Sequence, residues 1–197
     1  MYKIENNGLL LVASNTEPAV RARVTEASQE TLLVKAVRHG EQEAFARLYS
    51  LYAPMVHGIV LARVPWGEVD DLVQDIFLVA LKKLNTLRDD AAFGAWLAMI
   101  ARNRAMDFHR RKHETEELSD DMAAHGDSEA DREAANVLEV ICRLPEAYRE
   151  TLVLRLVEGM TGHEISDRTG LTPASVRVNL HRGMKLLREK LGMEERV

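Results

Sequence analysis

The residues of this chain that could do chemistry are charged and lie in three blocks, two basic and one acidic. Leu171-Thr172-Pro173-Ala174-Ser175-Val176-Arg177-Val178-Asn179-Leu180-His181-Arg182 follows Gly162-His163-Glu164-Ile165-Ser166-Asp167-Arg168-Thr169-Gly170. Together they read as a short helix, a glycine-containing turn and a second helix, the helix-turn-helix arrangement that can lay its second helix in a DNA major groove. Thr172 is placed to cap that helix, and Pro173 suits its first turn. Val176, Leu180, Met184, Leu187 and Leu191 form one apolar stripe, while Ala174, Ser175, Val178, His181, Arg182 and Lys185 point the other way. Ser175, Arg177, Val178 and Asn179 lie near the N-terminal end, where base edges are usually reached. Arg182, Lys185 and Arg188 lie further along and suit phosphates, as do the free N–H groups at the helix start. A solvated basic face on an ordinary surface helix is the plainer alternative.

The second basic block runs from Ala101 to Lys112, where Arg102, Arg104, Arg110, Arg111 and Lys112 stand against Asp107, a net of +4. With Asn103 among them and Phe93 and Trp96 just upstream, this stretch suits a single nucleic-acid strand, whose phosphates it would neutralise. The alternatives are a solvated helix end that favours the helix dipole and, for Trp96, core packing with Leu97 and Ile100. The acidic block is Asp70, Asp71, Gln74 and Asp75. Its spacing on an exposed helix, with no matching histidine or second carboxylate pair nearby, argues against catalysis and against a metal. Two readings stay open for it: a docking face for a basic protein, or a solvated acidic face.

Composition narrows the field. The chain has 197 residues, 46 % hydrophobic, 29 % charged and only 5 % aromatic, with a net charge of −5. That is a globular, helix-favouring balance, and the net acidity alone would not suggest DNA. The average conceals the blocks. Glu114 to Glu133 carries nine acidic residues against Arg132, a net of −8, between two stretches of +4, the second being Pro173 to Gly192. Two basic elements flanking an acidic segment suggest two nucleic-acid contacts on a linker that avoids DNA. The single cysteine, Cys142, excludes an intramolecular disulfide and fits a reducing cytoplasm. No apolar run approaches the roughly 18 residues a membrane span needs, and no leader pattern precedes Leu9 to Ala13. No phosphate-cradling P-loop, nucleophile elbow or metal-ligand spacing is present, so neither enzyme activity nor a cofactor is expected.

The elements that must position these residues are helices. Leu33, Val34 and Val37 share one face of a first helix that Gly40 stops. A second helix is predicted over 41–63, through Phe45, Leu48, Tyr49, Tyr52, Val56 and Ile59, with a kink or break at Pro54. A third covers 68–84 on the stripe Val69, Leu72, Val73, Ile76 and Ala80, and a loop carrying Arg88, Asp89 and Asp90 follows it. A fourth covers 93–113. Residues 114–130 have the composition of a flexible linker. Helices resume near Asp131, and one starts at Leu144-Pro145-Glu146 with the stripe Tyr148, Leu152, Val153 and Leu156. The expectation is an all-α chain of two small helical domains on an acidic tether, 29–113 and 131–197, preceded by a 28-residue extension.

These motifs converge on a family. Asp70-Asp71-Leu72-Val73-Gln74-Asp75-Ile76-Phe77, Phe93-Gly94-Ala95-Trp96-Leu97-Ala98-Met99-Ile100-Ala101-Arg102-Asn103, Asp107 and Arg110-Arg111 resemble domain two of bacterial extracytoplasmic-function sigma factors. Leu144-Pro145-Glu146-Ala147-Tyr148-Arg149 and the helix-turn-helix resemble domain four of that family. The resemblance covers about residues 30 to 192 in the family's order. It implies a factor that gives core RNA polymerase its promoter specificity. The acidic helix, through Asp70, Asp71, Gln74 and Asp75, would dock on the β′ clamp helices. Domain four would meet the β flap. Arg88, Asp89, Arg102, Asn103, Asp107, Arg110 and Arg111 would serve the −10 element, with a base flipped from the melting non-template strand. Thr172, Ser175, Arg177, Val178, Asn179, His181, Arg182 and Lys185 would serve the −35 element. The linker would thread toward the RNA exit path, and an anti-sigma factor would clamp the two domains. Val178 and Asn179 depart from the small polar and basic residues the family often carries there. A stand-alone helix-turn-helix regulator, binding operator DNA as a dimer, accounts for the C-terminal motif but leaves residues 41–112 without a task.

Overall fold

A computed structural model of the chain describes residues 29–115 and 129–192, and within them the chain is helical with no strand. The expected N-terminal extension and nearly all of the expected linker lie outside the described residues. Helix α1 spans residues 29–38 and buries Val34 and Val37. Gly40 follows at φ 88°, a left-handed conformation that glycine adopts without strain. Helix α2, Gln42–Leu61, is the central element of the first group: Leu48, Tyr52, Met55, Val56 and Ile59 are all buried. It runs unbroken through Pro54, so of the expected kink or break, the break does not occur. Proline removes one hydrogen bond to the preceding turn. Burial of Tyr52, Met55 and Val56 on either side of it holds the helix together.

Helix α3, Val69–Lys83, lays Val69, Val73, Ile76 and Ala80 against α2, as the stripe requires, with Phe77 edge-on to Phe45 and tilted over Tyr49. Helix α4, Phe93–Thr115, packs on both α2 and α3. The second group contains α5, Glu129–Cys142; α6, Glu146–Leu156; α7, Gly162–Thr169; and α8, Pro173–Lys190. Its core is Ile141, Leu144, Leu152, Val153, Leu154, Ile165, Val176 and Leu187. Fully burying an aliphatic side chain of this kind stabilises by roughly 1.5–3 kcal/mol.

The two groups pack on each other. Helix α6 lies against α2, and α7 lies against α4. Glycines let the backbones meet. A Cβ on Gly94 would stand 2.8 Å from the Arg168 carbonyl oxygen, and one on Gly170 would stand 2.8 Å from the Ala95 Cβ. The stripe expected for α6 needs revision for the same reason. Leu156 is exposed, whereas Glu150, Thr151 and Leu154 are buried, because α6 is covered by α8 and also by α2.

Candidate nucleic-acid interface

The helix-turn-helix is built by local hydrogen bonds. Thr161 caps α7: its Oγ1 accepts from the Glu164 N–H at 3.2 Å, and the Glu164 carboxylate accepts from the Thr161 N–H at 2.8 Å. That backbone donor, with the Thr161 side chain, holds the Glu164 carboxyl below its usual range. Gly170 ends α7 at φ 75°. Ser166 Oγ donates to the Leu171 carbonyl at 2.8 Å, and the Leu171 N–H donates to Thr169 Oγ1 at 3.3 Å, fixing the turn. Thr172 then caps α8, accepting from the Ser175 N–H at 3.1 Å, and Pro173 occupies the first turn.

The capped helix presents two faces. Val176, Gly183 and Leu187 are buried, and Leu180, Met184 and Leu191 are half-buried. Gly183 fits because a Cβ there would stand 3.0 Å from Leu152 and 3.1 Å from Tyr148. On the other face Ser175, Arg177, Val178, His181, Arg182 and Lys185 are exposed. Asn179 is half-buried, so it faces solvent less than its neighbours. Thr172 and Ser175 share a hydroxyl–hydroxyl contact of 2.8 Å, which engages both in the cap. No ion pair holds Arg177, Arg182 or Lys185 among the described residues.

The other basic helix is differently placed. Arg102 is half-buried, and its guanidinium bonds Glu150 of α6 through two contacts: Nη2 to Oε1 at 2.6 Å and Nε to Oε2 at 3.0 Å. Arg63, just after α2, donates to the same carboxylate from Nη2 at 2.7 Å and to the Ile59 carbonyl from Nη1 at 2.9 Å. Glu150 is thus a buried carboxylate, 7 % exposed, shared by two guanidiniums from the first helix group. Burial alone would raise its pKa. The hydrogen bonds and charges of Arg102 and Arg63 outweigh burial and hold it below the usual carboxylate range. A second clasp joins His57 Nδ1 to Glu158 Oε1 at 2.6 Å, and Arg168 Nη1 donates to the Leu51 carbonyl at 3.1 Å.

The remaining expected residues sort by side of α4. Asn103 and Arg110 are exposed, beside the exposed Met99 and Met106, and Asp107 pairs with Arg110 at 3.0 Å. Arg111 lies on the same helix. Trp96 is half-buried with its ring centroid 5.9 Å from Phe93, itself buried, so it packs with the core. Before α4, Arg88 and Asp89 are exposed on the connecting segment, and Asp89 Oδ1 accepts from the Ala91 N–H at 3.0 Å. On α3, Asp70, Asp71, Gln74 and Asp75 are all exposed.

Two features escaped the sequence reading. Glu150 sits beside the apolar stripe of α6 and was indistinguishable from a surface glutamate. Leu78 and Leu81, 52 % and 43 % exposed, extend the acidic face of α3 with apolar surface. Their signal was present: both fall off the Val69-to-Ala80 stripe, so they had no core position to fill. Cys142 is half-buried, and burial pushes its thiol pKa up, which fits a structural rather than a reactive group.

Comparison with known proteins addresses the whole arrangement. The family model for Sigma-70 region 2 matches residues 48–115, and that for Sigma-70, region 4 matches residues 134–187. RNA polymerase sigma factor CarQ of Myxococcus xanthus is 32 % identical over 162 residues, which cover 79 % of this chain and 93 % of that one. The ECF RNA polymerase sigma-E factor of Escherichia coli (strain K12) is 29 % identical over 185 residues, covering 85 % and 97 %. Among solved structures, CnrH in complex with the cytosolic domain of CnrY shares the fold. It has a TM-score of 0.60 and 24 % identity, covering 85 % of this chain and 99 % of that one.

Proposed function

This chain belongs to the sigma-70 family of RNA polymerase sigma factors, in its extracytoplasmic-function branch, and from that membership we propose how its surfaces divide the work of directing transcription initiation. The exposed face of α8 reads the −35 element in the major groove. The segment carrying Arg88 and Asp89, with Asn103, Asp107, Arg110 and Arg111 on α4, serves the −10 element, and Arg102 joins them once Glu150 releases it. The acidic face of α3 docks on the β′ clamp helices, and the second helix group meets the β flap. The protein does no catalysis itself: binding energy from captured bases and from polymerase contacts drives melting. It works in the cytoplasm and is held inactive by an anti-sigma factor. Within the described residues no helix is long and apolar enough to cross a membrane.

The observation that best supports the docking assignment is the make-up of the α3 surface. Four adjacent polar residues, three of them carboxylates, stand clear of every ion pair found among the described residues. Leu78 and Leu81 continue the surface toward the helix C-terminus. A solvated face has no need of exposed leucines. A partner surface combines an apolar centre with charge that selects orientation. The test is run-off transcription with core enzyme. Wild-type protein yields promoter-specific transcripts. Asp71→Lys with Asp75→Lys lowers core affinity by about tenfold or more, in the range that interface charge reversal produces, while the helical circular-dichroism signal is retained. Unchanged core affinity would sink the docking assignment. A stand-alone dimeric regulator gives no account of the region 2 match at residues 48–115.

A further inference from the structure

The segment between α3 and α4 is short and carries backbone carbonyls that need partners. It opens with a 3₁₀ turn at Leu84–Thr86 and closes with another at Asp90–Ala92. Leu84 and Leu87 are buried, which anchors the first limb, while Arg88 and Asp89 are exposed at the tip. One side chain reaches both limbs. Arg38, at the end of α1, places Nη2 at 2.5 Å from the Leu87 carbonyl oxygen and 3.4 Å from that of Leu84. The same nitrogen lies 2.9 Å from Asp90 Oδ1. That oxygen is sealed from water and makes no well-directed hydrogen bond, so its contact with Arg38 is chiefly ionic.

We infer that Arg38 is a positioning residue for −10 recognition: it ties the two limbs of the 85–92 segment together and so sets how Arg88 and Asp89 face an unpaired base. The inference rests on the −10 assignment above. Its physical basis is rigidity. A base-reading tip held only by its own backbone samples many shapes, and specificity falls as the contacts lose fixed geometry. A guanidinium suits the task because its donors diverge in a plane and remain charged at every working pH. Asp89 contributes locally through its bond to the Ala91 N–H, but that bond spans two residues and cannot join the limbs. Helix α1 would thereby influence promoter choice without touching DNA.

The test uses the full chain with core RNA polymerase and templates randomised across both promoter elements, with the transcripts sequenced. Wild-type protein is expected to enrich a preferred base within the −10 element. Arg38→Ala should reduce that enrichment by about fivefold or more, the lower end of what one base contact contributes. Its −35 preference and core affinity should stay within about twofold. Arg38→Lys should recover part of the loss, since an ammonium keeps the charge but not the planar, fixed direction of the Nη2 donors. Asp90→Asn, which leaves both carbonyl bonds in place, should move the profile in the same direction by less, and it guards against a folding defect in Arg38→Ala. Unchanged −10 profiles in Arg38→Ala and Asp90→Asn would overturn the inference, as would −35 preference and core affinity falling in parallel with the −10 profile. A further variant, Arg88→Ala with Asp89→Ala, separates the two levels. If it shifts the −10 profile and Arg38→Ala does not, only the positioning role falls. If it too leaves the profile unchanged, the −10 assignment is wrong and the positioning role falls with it.

Discussion

Helices α4 and α8 carry basic blocks of the same net charge, +4, and do opposite things with it. On α8 the Arg177, Arg182 and Lys185 side chains stand exposed on one face, while Val176 and Leu187 fasten the other to the second helix group. On α4 one arginine is already committed. Arg102 is clamped by Glu150 across the contact between the two helix groups, with the Thr169 carbonyl 3.4 Å away. Charge counted along a sequence therefore does not measure charge available to DNA. One helix presents its cations to solvent as it stands; the other frees Arg102 only if α6 and α7 move off it.

The largest expected effect comes from removing the carboxylate that makes this difference. Glu150→Ala leaves Arg63 and Arg102 partly buried beside each other, with Arg102 stripped of its carboxylate and Arg63 keeping only the exposed Glu146 carboxylate, 3.4 Å from its Nε. Breaking a buried pair from one side typically costs about 3–5 kcal/mol. The expected result is a rise in radius of gyration by small-angle scattering, as the two groups part, with helix content retained. A double-mutant cycle with Arg102→Ala should show non-additivity. If the dimensions stay the same and the two substitutions add, Glu150 does not hold the groups together and the contrast between the helices loses its cause.

The open helix supplies the next test. Arg182→Ala or Lys185→Ala should weaken DNA binding across all −35 sequences and flatten its salt dependence, with a slope reduced by about 1 for one phosphate contact. Arg177→Ala should instead cost about 1–3 kcal/mol at particular bases. Equal losses on every sequence would make Arg177 another phosphate contact and move base reading to its neighbours. Glu150→Ala should leave these −35 measurements unchanged, because α8 owes its face to its own cap and stripe.

How much of this was legible beforehand follows the same division. The open helix could be read directly: Thr172-Pro173 set its start, Gly170 its turn, and Val176, Leu180, Met184 and Leu187 its inward face, all local signals of capping and period. The covered helix could not. Periodicity finds one apolar face, and α6 has two covered sides, so its pattern blurs and a buried glutamate passes for a surface one. Pro54 is a related case: propensity forecast a kink or a break, and packing on both sides of the proline kept the helix from breaking. The acidic face of α3 lay between these cases. Its carboxylates were plain in the sequence, but Leu78 and Leu81 had meaning only once α3 was seen to leave them outside the core.

The smallest expected effect concerns pH and tests whether the two clasps between the helix groups act separately. His57 is raised above its usual pKa, first by the hydrogen bond it donates to Glu158 and then by the Glu158 and Asp70 charges, against the opposing effect of burial. A histidine raised in the folded state stabilises fully below its unfolded value of 6.5, and the contribution fades as pH rises through the folded value. Glu150 works the other way: its lowered carboxyl stabilises above the ordinary value of 4.5 and fades as pH falls through the folded value. The His57 clasp is partly exposed, so its worth is about 0–1 kcal/mol, or at most about 2–4 °C in Tm for a protein of this size. Wild-type Tm should therefore decline slightly as pH rises above 6.5, and His57→Gln should remove that decline without altering the loss in acid. Parallel curves for the two proteins above pH 6.5 would leave Glu150 as the only clasp between the groups that responds to pH.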